Sequence, residues 1–356
     1  MKICVVGAGS IGGLLGVKLY NLGEKVTLIA RGPHLEAIRS DGLKLLMSDG
    51  TLEVARGIDA TDDMSTLGPQ DLVILGVKAH QIESIVDDVA GLLGPDSVLL
   101  TTQNGIPWWY FQKHGGKYED TLVRSVDPDG RIAGSINPDH IIGCIAYPAA
   151  EITQPGTIHH VEGIRFPIGE LDGSESLRAR EISDLLSRAG FKSPILADFR
   201  SELWLKLWGN LTFNPISALT HSTLVDICRY PLSRRLAERM MSEAQDVAHN
   251  LGITFRVSLE KRIQGAEKVG KHKTSMLQDV ESGKAMEIDA LIGAIAELGE
   301  LTGTSTPSID AVYALIKLLD KTVQEEGLFV KGQPVKPKVT EADHAHSSAE
   351  SPAATG

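Results

Sequence analysis

The chain has 356 residues, enough for two domains. Its 35 Lys and Arg against 46 Asp and Glu give a net charge of -11, which excludes the basic footprint of a nucleic-acid binder; an anionic ligand must be drawn in by local positive charge and backbone N–H groups. The three cysteines (Cys4, Cys144 and Cys228) form neither a zinc pattern nor a disulfide framework, no signal peptide precedes the first strand, and no apolar run reaches the roughly 20 residues of a membrane helix, so a cytoplasmic protein is expected.

Residues 2–6 read as a short buried strand, and Gly7-Ala8-Gly9-Ser10-Ile11-Gly12 follows at once. A helical pattern over 14–22 ends at Gly23, and a second strand covers 25–29. Strand, G-x-G-x-x-G, helix, strand is the setting in which this motif carries weight as a dinucleotide site. Gly7 permits the tight turn, Gly9 lets the backbone approach a pyrophosphate, and Gly12 lets the helix pack closely on the strand. The free N–H groups and the dipole at the helix start then face the phosphates. At the end of the second strand an NAD-binding chain carries Asp or Glu for the ribose 2′-hydroxyl; this chain has Ala30 and Arg31. No carboxylate repels a 2′-phosphate there, and Arg31 can bind one through two N–H groups. The expected cofactor is NADP(H).

Residues 71–77 form a continuous apolar run suited to a central parallel strand. Lys78 follows at its carboxyl end, where ligands bind, and is either a cofactor contact or simply solvated. His80 reads as a helix-start residue, and a helix is expected over 81–93. Another strand over 97–101 leads to Asn104-Gly105; the Asn104 amide either holds substrate or nicotinamide or shapes the turn. Beyond it the pattern is irregular to about residue 169. Trp108-Trp109-Tyr110-Phe111 makes a lid or pocket wall, or packs in the core, the plainer reading. Strands are expected near 141–147, 157–161 and 165–168. His159-His160 has no neighbouring Cys or carboxylate at metal spacing, so no metal is assigned. A helix over 174–189 ends at Gly190.

From residue 200 to about 327 the pattern is helical. Residues 200–215 are apolar on almost every side, which marks a buried helix. Lys206, Asn210 and Asn214 nevertheless recur at i, i+4 and i+8 and make one polar stripe, roughly 12 Å long at 1.5 Å per residue. Lys206 either lines a wet site or pairs with Glu202 on a surface. Further helices are expected over 232–250, 288–301 and 309–319. Between them lie Ser275 and Asp279, four apart, and Glu287 at a helix start. The segment 329–356 is rich in Pro, Lys, Ala, Ser and acidic residues and is expected to be disordered. The fold class expected is an N-terminal α/β Rossmann-type dinucleotide-binding domain (1–197) followed by an all-α C-terminal domain (198–328).

Taken together, the glycine motif with Arg31, Lys78, Asn104-Gly105, the Lys206–Asn210–Asn214-Pro215 series, Ser275-Met276-x-x-Asp279 and Glu287-Ile288-Asp289 resemble the ketopantoate reductase (2-dehydropantoate 2-reductase) family over roughly residues 1–325. The glycine motif is widespread; the lysine-asparagine helix followed by the other two motifs is far more specific. The resemblance implies NADPH-dependent reduction of ketopantoate in pantothenate biosynthesis. Lys206 would be the general acid and Glu287 would orient the substrate hydroxyl. Asn210, Asn214 and Ser275 would fix the substrate, Ser275 near its carboxylate, and Asn104 would bridge substrate and cofactor. Arg31 and Lys78 would hold the 2′-phosphate side of NADPH, and Asp279 would be supporting structure. The implied partner is a small 2-oxo acid, with homodimer formation left open. Trp108-Trp109 departs from the family's usual small step after Asn-Gly, which leaves open a bulkier 2-oxo acid or an opine-type dehydrogenase that makes a C–N bond; a non-catalytic NADP(H)-binding protein would instead show a disrupted set, and Lys206, Asn210, Asn214 and Glu287 are all present.

Overall fold

The computed structural model describes residues 1–331. Eleven strands run in chain order: β1 (Lys2–Val6), β2 (Lys25–Ile29), β3 (Leu43–Leu46), β4 (Leu52–Ala55), β5 (Asp59–Thr61), β6 (Gln70–Leu75), β7 (Leu93–Thr101), β8 (Ile141–Cys144), β9 (Ala149–Gln154), β10 (Thr157–Glu162) and β11 (Ile168–Glu170). Seven of them form one sheet in the order β11-β8-β7-β6-β1-β2-β5. All its pairings are parallel except the antiparallel edge β8–β11. Strand order reverses at β1, so a crevice opens between the carboxyl ends of β1 and β6, where doubly wound sheets bind ligands. The central strands are buried on both faces, as the apolar runs of β1 and β6 require.

A second sheet, β4-β3-β10-β9, was not expected from the sequence. Between the two sheets runs helix α1 (Ser10–Asn21), which needs three glycines to fit. A Cβ at Gly12 would overlap the Gly7 carbonyl and stand 3.1 Å from Val5; one at Gly13 would overlap Ile158 of β10; one at Gly16 would stand 2.6 Å from Leu28 of β2. The remaining α/β helices are α2 (Gly32–Asp41), α3 (Val86–Gly91), α4 (Arg131–Ser135) and α5 (Leu177–Arg188). The helix expected over 81–93 is broken into two 3₁₀ turns and the short α3, because Ile85 leaves helical geometry at φ -124° and ψ 6°. The strand expected over 141–147 loses its regular ladder after Cys144. Ile145 and Tyr147 still donate to the carbonyls of Pro167 and Arg165, but Pro167 has no N–H to return.

Among the described residues, every regular element from Phe199 onward is helical: α6 (Phe199–Thr220), α7 (Leu224–Arg229), α8 (Pro231–Asn250), α9 (Leu259–Val269), α10 (Ser275–Glu281), a π-helical turn (Asp289–Gly293), α11 (Ala294–Thr302) and α12 (Pro307–Glu325). α6 starts on Asp198, whose side chain accepts from the Ser201 N–H, and it carries Pro215 in its interior. The helix expected over 288–301 opens with the π-turn, a distortion often found at functional sites. The aromatic run packs inside: Trp108, Trp109, Tyr110 and Phe111 are each at most 3% exposed. It anchors the start of α6. Trp204 Nε1 donates to the Tyr110 hydroxyl at 2.7 Å, and the Arg200 guanidinium donates to the carbonyls of Tyr110, Leu171 and Gln112. The expectation for 329–356 falls, from residue 332 on, outside the described residues.

Candidate active site

The glycine-rich turn has the shape its spacing predicts. Gly7 sits at φ 98°, closed to other residues without strain. A Cβ at Gly9 would meet nothing nearer than the Gly76 carbonyl at 3.9 Å, so the backbone there is open to a close ligand. Gly9 caps α1 without a side-chain hydrogen bond, which leaves the first-turn N–H groups of Ser10 and Ile11 for phosphate oxygens. Ala8 turns its carbonyl to His34 Nε2 at 2.9 Å. Arg31 is exposed and is itself the N-cap of α2, so its charge and that helix's positive end coincide. These features fit a dinucleotide with a 2′-phosphate.

The second half of the site is built on α6. Lys206 Nζ donates to Asn104 Oδ1 at 2.6 Å and to the Ala146 carbonyl. Asn104 Nδ2 in turn donates to Glu287 Oε2 at 3.3 Å, and the Ala79 N–H donates to Glu287 Oε1 at 3.2 Å. Lysine, amide and carboxylate thus form one chain across three distant segments. Gly105 makes the juncture possible. It sits at φ 88°, a Cβ there would stand 2.5 Å from the Ala290 carbonyl carbon, and the next residue, Ile106, donates its N–H to that carbonyl at 2.8 Å. The Asn-Gly turn is therefore seated on the π-turn that follows Glu287.

Burial drives the Lys206 ammonium down from its ordinary 10.5 to about 8; Glu287 and Cys144 oppose the shift without cancelling it. Its hydrogen-bond partners are neutral oxygens, so no ionised group in contact offsets the desolvation. A cavity lies beside it, lined by Lys206, Asn104, Asn210, Gln103, Trp109 and Leu207 among others. Trp109 is thus both core and cavity wall, whereas Trp108, Tyr110 and Phe111 are not among the lining side chains.

The other residues singled out in the sequence lie around this chain as follows. Asn214 is buried further along α6 and Ser275 is the exposed first residue of α10; among the described residues neither hydrogen-bonds to the Lys206 chain. Lys78, just beyond the end of β6, is engaged across the cleft. Its ammonium lies 2.7 Å from Asp279 Oδ2 and donates to the Ala285 carbonyl at 2.7 Å, which ties the end of β6 to α10 and the loop after it. That contact makes Asp279 the support that holds Lys78, while burial raises the Asp279 carboxyl to about 6 against the pull of Lys78. Of the two readings open for Lys206, the surface pair with Glu202 drops out and Glu202 is a structural neighbour: it accepts from Tyr147 at 2.8 Å, Arg165 at 2.5 Å and Arg256 at 2.8 Å. Sequence reasoning missed the Ala146 carbonyl, which has no side-chain signature, and Tyr147, whose ring centre is 5.9 Å from Lys206 Nζ. Among the described residues no group of three or more His, Cys, Asp or Glu is placed to hold a metal, and no helix is long and apolar enough to cross a membrane.

A parallel sheet with a glycine-rich phosphate turn, facing a helical layer that carries a buried lysine–asparagine–glutamate chain, defines the class of nicotinamide-dependent oxidoreductases. Comparison with known proteins narrows the class. The profile of ketopantoate reductase PanE/ApbA matches residues 3–173, and the profile of its C-terminal region matches residues 198–320. A 2-dehydropantoate 2-reductase of Mesorhizobium japonicum is 48% identical over 320 residues, 90% of this chain and 98% of that protein. One from Pyrococcus horikoshii is 30% identical, over 89% and 97%. The crystal structure of a putative ketopantoate reductase from Ralstonia solanacearum superposes with a TM-score of 0.86 at 37% identity, covering 92% of this chain and 99% of that one. The chain belongs to the ketopantoate reductase family.

Proposed function

We propose that the protein reduces 2-dehydropantoate to pantoate with NADPH, with residues 1–197 holding the cofactor and 198–328 the substrate. Bound NADPH supplies hydride to the carbonyl carbon, and negative charge grows on the carbonyl oxygen. Lys206 stabilises that charge most in the transition state and then donates its proton to the oxygen. The observation that carries this reading is the Lys206 ammonium itself, held by neutral oxygens beside a cavity and lowered to about 8. Asn104 orients the ammonium, and Glu287 orients Asn104 and the forming hydroxyl. Asn210, Asn214 and Ser275 position the rest of the substrate. Arg31 selects the 2′-phosphate of NADPH, and Lys78 holds the cofactor's side of the cleft through Asp279. A cytoplasmic enzyme, with homodimer formation open, is the accompanying expectation.

NADPH oxidation assayed against 2-dehydropantoate and a panel of 2-oxo acids, with and without amines, tests the substrate. Good turnover of other acids and none of 2-dehydropantoate would refute it, and amine-dependent turnover would point to C–N bond formation. The cofactor assignment has its own test: Arg31→Ala raises KM for NADPH by roughly tenfold or more, the worth of a charge-assisted contact, and leaves KM for NADH nearly unchanged. Equal changes for both cofactors would remove Arg31 from the 2′-phosphate.

A further inference from the structure

The Glu287-Ile288-Asp289 stretch carries a second acid that the proposed chemistry leaves unused. Asp289 accepts from the Tyr313 hydroxyl at 2.7 Å and lies 3.0 Å from Lys317 Nζ, both on α12. Just before Glu287, the Met286 N–H donates at 3.0 Å to Asp320 Oδ1, also on α12. Tyr313, Lys317 and Asp320 stand at i, i+4 and i+7, so one face of α12 grips the chain on both sides of Glu287. Gly293 makes the close approach possible, since a Cβ there would stand 2.9 Å from the Tyr313 hydroxyl oxygen. Met286 and Ile288 are buried, which pins the same stretch from within. Beyond them the Ala290 carbonyl accepts from the Ile106 N–H, the contact that seats the Asn-Gly turn. Glu287 therefore rides on a short stretch clamped between α12 and the turn that carries Asn104. Its side chain is not packed all round. A second cavity lies against it, lined by Ala79, His80, Ser125, Met286 and Asp289 among others. Open space there leaves the aim of the carboxylate to the backbone beneath it and to its hydrogen bonds from Asn104 and the Ala79 N–H.

We propose that α12 aims Glu287: Tyr313 and Asp320 are positioning residues that fix the backbone on either side of the carboxylate, with Gly293 as the gap that lets the phenol reach Asp289. This rests on the reading of Glu287 as the group that orients Asn104 and the forming hydroxyl, and deepens it. A misplacement of about 1 Å at a reacting group costs on the order of 100-fold in rate, so a side chain with open space beside it needs a rigid base. The phenol contributes more than the ammonium. Lys317 and Asp289 are 46% and 36% exposed, and an ion pair that open to water is worth little, whereas the phenol's hydrogen bond to a carboxylate is charge-assisted. The Asp320 contact acts likewise. Residues 284–288 belong to no helix or strand, so their N–H groups have no ladder, and a carboxylate takes the Met286 N–H instead.

Steady-state kinetics on 2-dehydropantoate with NADPH tests this, in the wild-type and the Glu287→Ala backgrounds. Tyr313→Phe lowers kcat/KM for the acid about tenfold and leaves KM for NADPH within about twofold. Gly293→Ala, which pushes the phenol off Asp289, does the same by an independent route. Asp320→Ala gives a similar loss, and Asp320→Asn, which keeps an acceptor for the Met286 N–H, restores most of it. In the Glu287→Ala background Tyr313→Phe adds less than about twofold, because the group it positions is already gone. Losses that multiply in the double variant, a matching rise in KM for NADPH, or a lower Tm with unchanged kcat/KM would overturn the assignment and make α12 a packing element. Crystal structures of the wild type and of Asp289→Ala, which removes both α12 contacts at that residue, read the position without turnover. Glu287 leaves hydrogen-bond distance of Asn104 Nδ2 in the variant; a contact kept as in the wild type would refute the inference. Absence of 2-oxo acid turnover in the wild type would instead count against the proposed reaction, and the two structures would still decide the placement of Glu287.

Discussion

Glu202 and Lys206 sit one turn apart on the same helix face, both largely withdrawn from water, and their surroundings are opposite. Glu202 is 7% exposed and is held by two guanidiniums and a phenol. Burial alone would raise its carboxyl; the hydrogen bonds from Arg165 and Tyr147 and the charges of Arg165 and Arg256 outweigh that and keep it below the ordinary range. Among the described residues, Lys206 has only an amide oxygen and a backbone carbonyl in hydrogen-bond contact. Burial wins there, and the ammonium falls to about 8. A buried charge given ionised partners is locked and serves the fold. One given neutral partners stays titratable and can do chemistry.

Four measurements bear on that contrast. Removing the titratable partner has the largest effect: Lys206→Ala lowers kcat by at least roughly 100-fold, the scale of a general acid, and a variant near wild-type kcat would end its role. Next is the pH profile. The proton donor is the ammonium, so kcat is full below about pH 8 and falls by about tenfold per pH unit above it. A flat profile to pH 9.5 would show that Lys206 is not the titrating acid.

The locked partner answers in stability instead. Glu202→Gln leaves Arg165 and Arg256 without their carboxylate, and since Arg256 is 61% exposed the loss is about 1–3 kcal/mol, less than for a fully buried pair. It is read as a lower Tm with kcat within about threefold of wild type; a large kcat loss at unchanged Tm would erase the distinction. Lys206→Met gives an effect no larger than this and of the opposite sign. The folded state holds Lys206 at about 8 and the unfolded chain near 10.5, so between those values the unfolded state binds more protons and stability rises with pH. The methionine variant therefore melts higher than wild type at pH 7, by on the order of 1–3 kcal/mol, and the gap narrows from pH 8 to 10.5. A variant that melts lower at pH 7 would mean that the ammonium's hydrogen bonds outweigh its desolvation.

Local chemistry was legible without coordinates. The glycine motif could be read because turn, close approach and helix packing are all settled within six residues, and Gly7 and Gly9 meet those demands. The Lys206–Asn210–Asn214 stripe could be read because helical periodicity puts those residues on adjoining positions of one helix, although only the first two reach the cavity. The family resemblance rested on these repeating patterns.

What tertiary structure alone decided is which distant groups meet, because a pairwise contact leaves no trace in local spacing. Asn104 and Glu287 are 183 residues apart, and their contact depends on a π-turn and a left-handed glycine docking together. The Ala146 acceptor is backbone and has no residue type to betray it. Lys78 and Arg31 both lie at strand ends, yet only the folded chain shows that Asp279 takes the lysine. The sequence by itself determined a dinucleotide turn and a buried helix carrying an ammonium. The fold decided the ammonium's partners, and partners set whether a buried charge is locked or free to give up its proton.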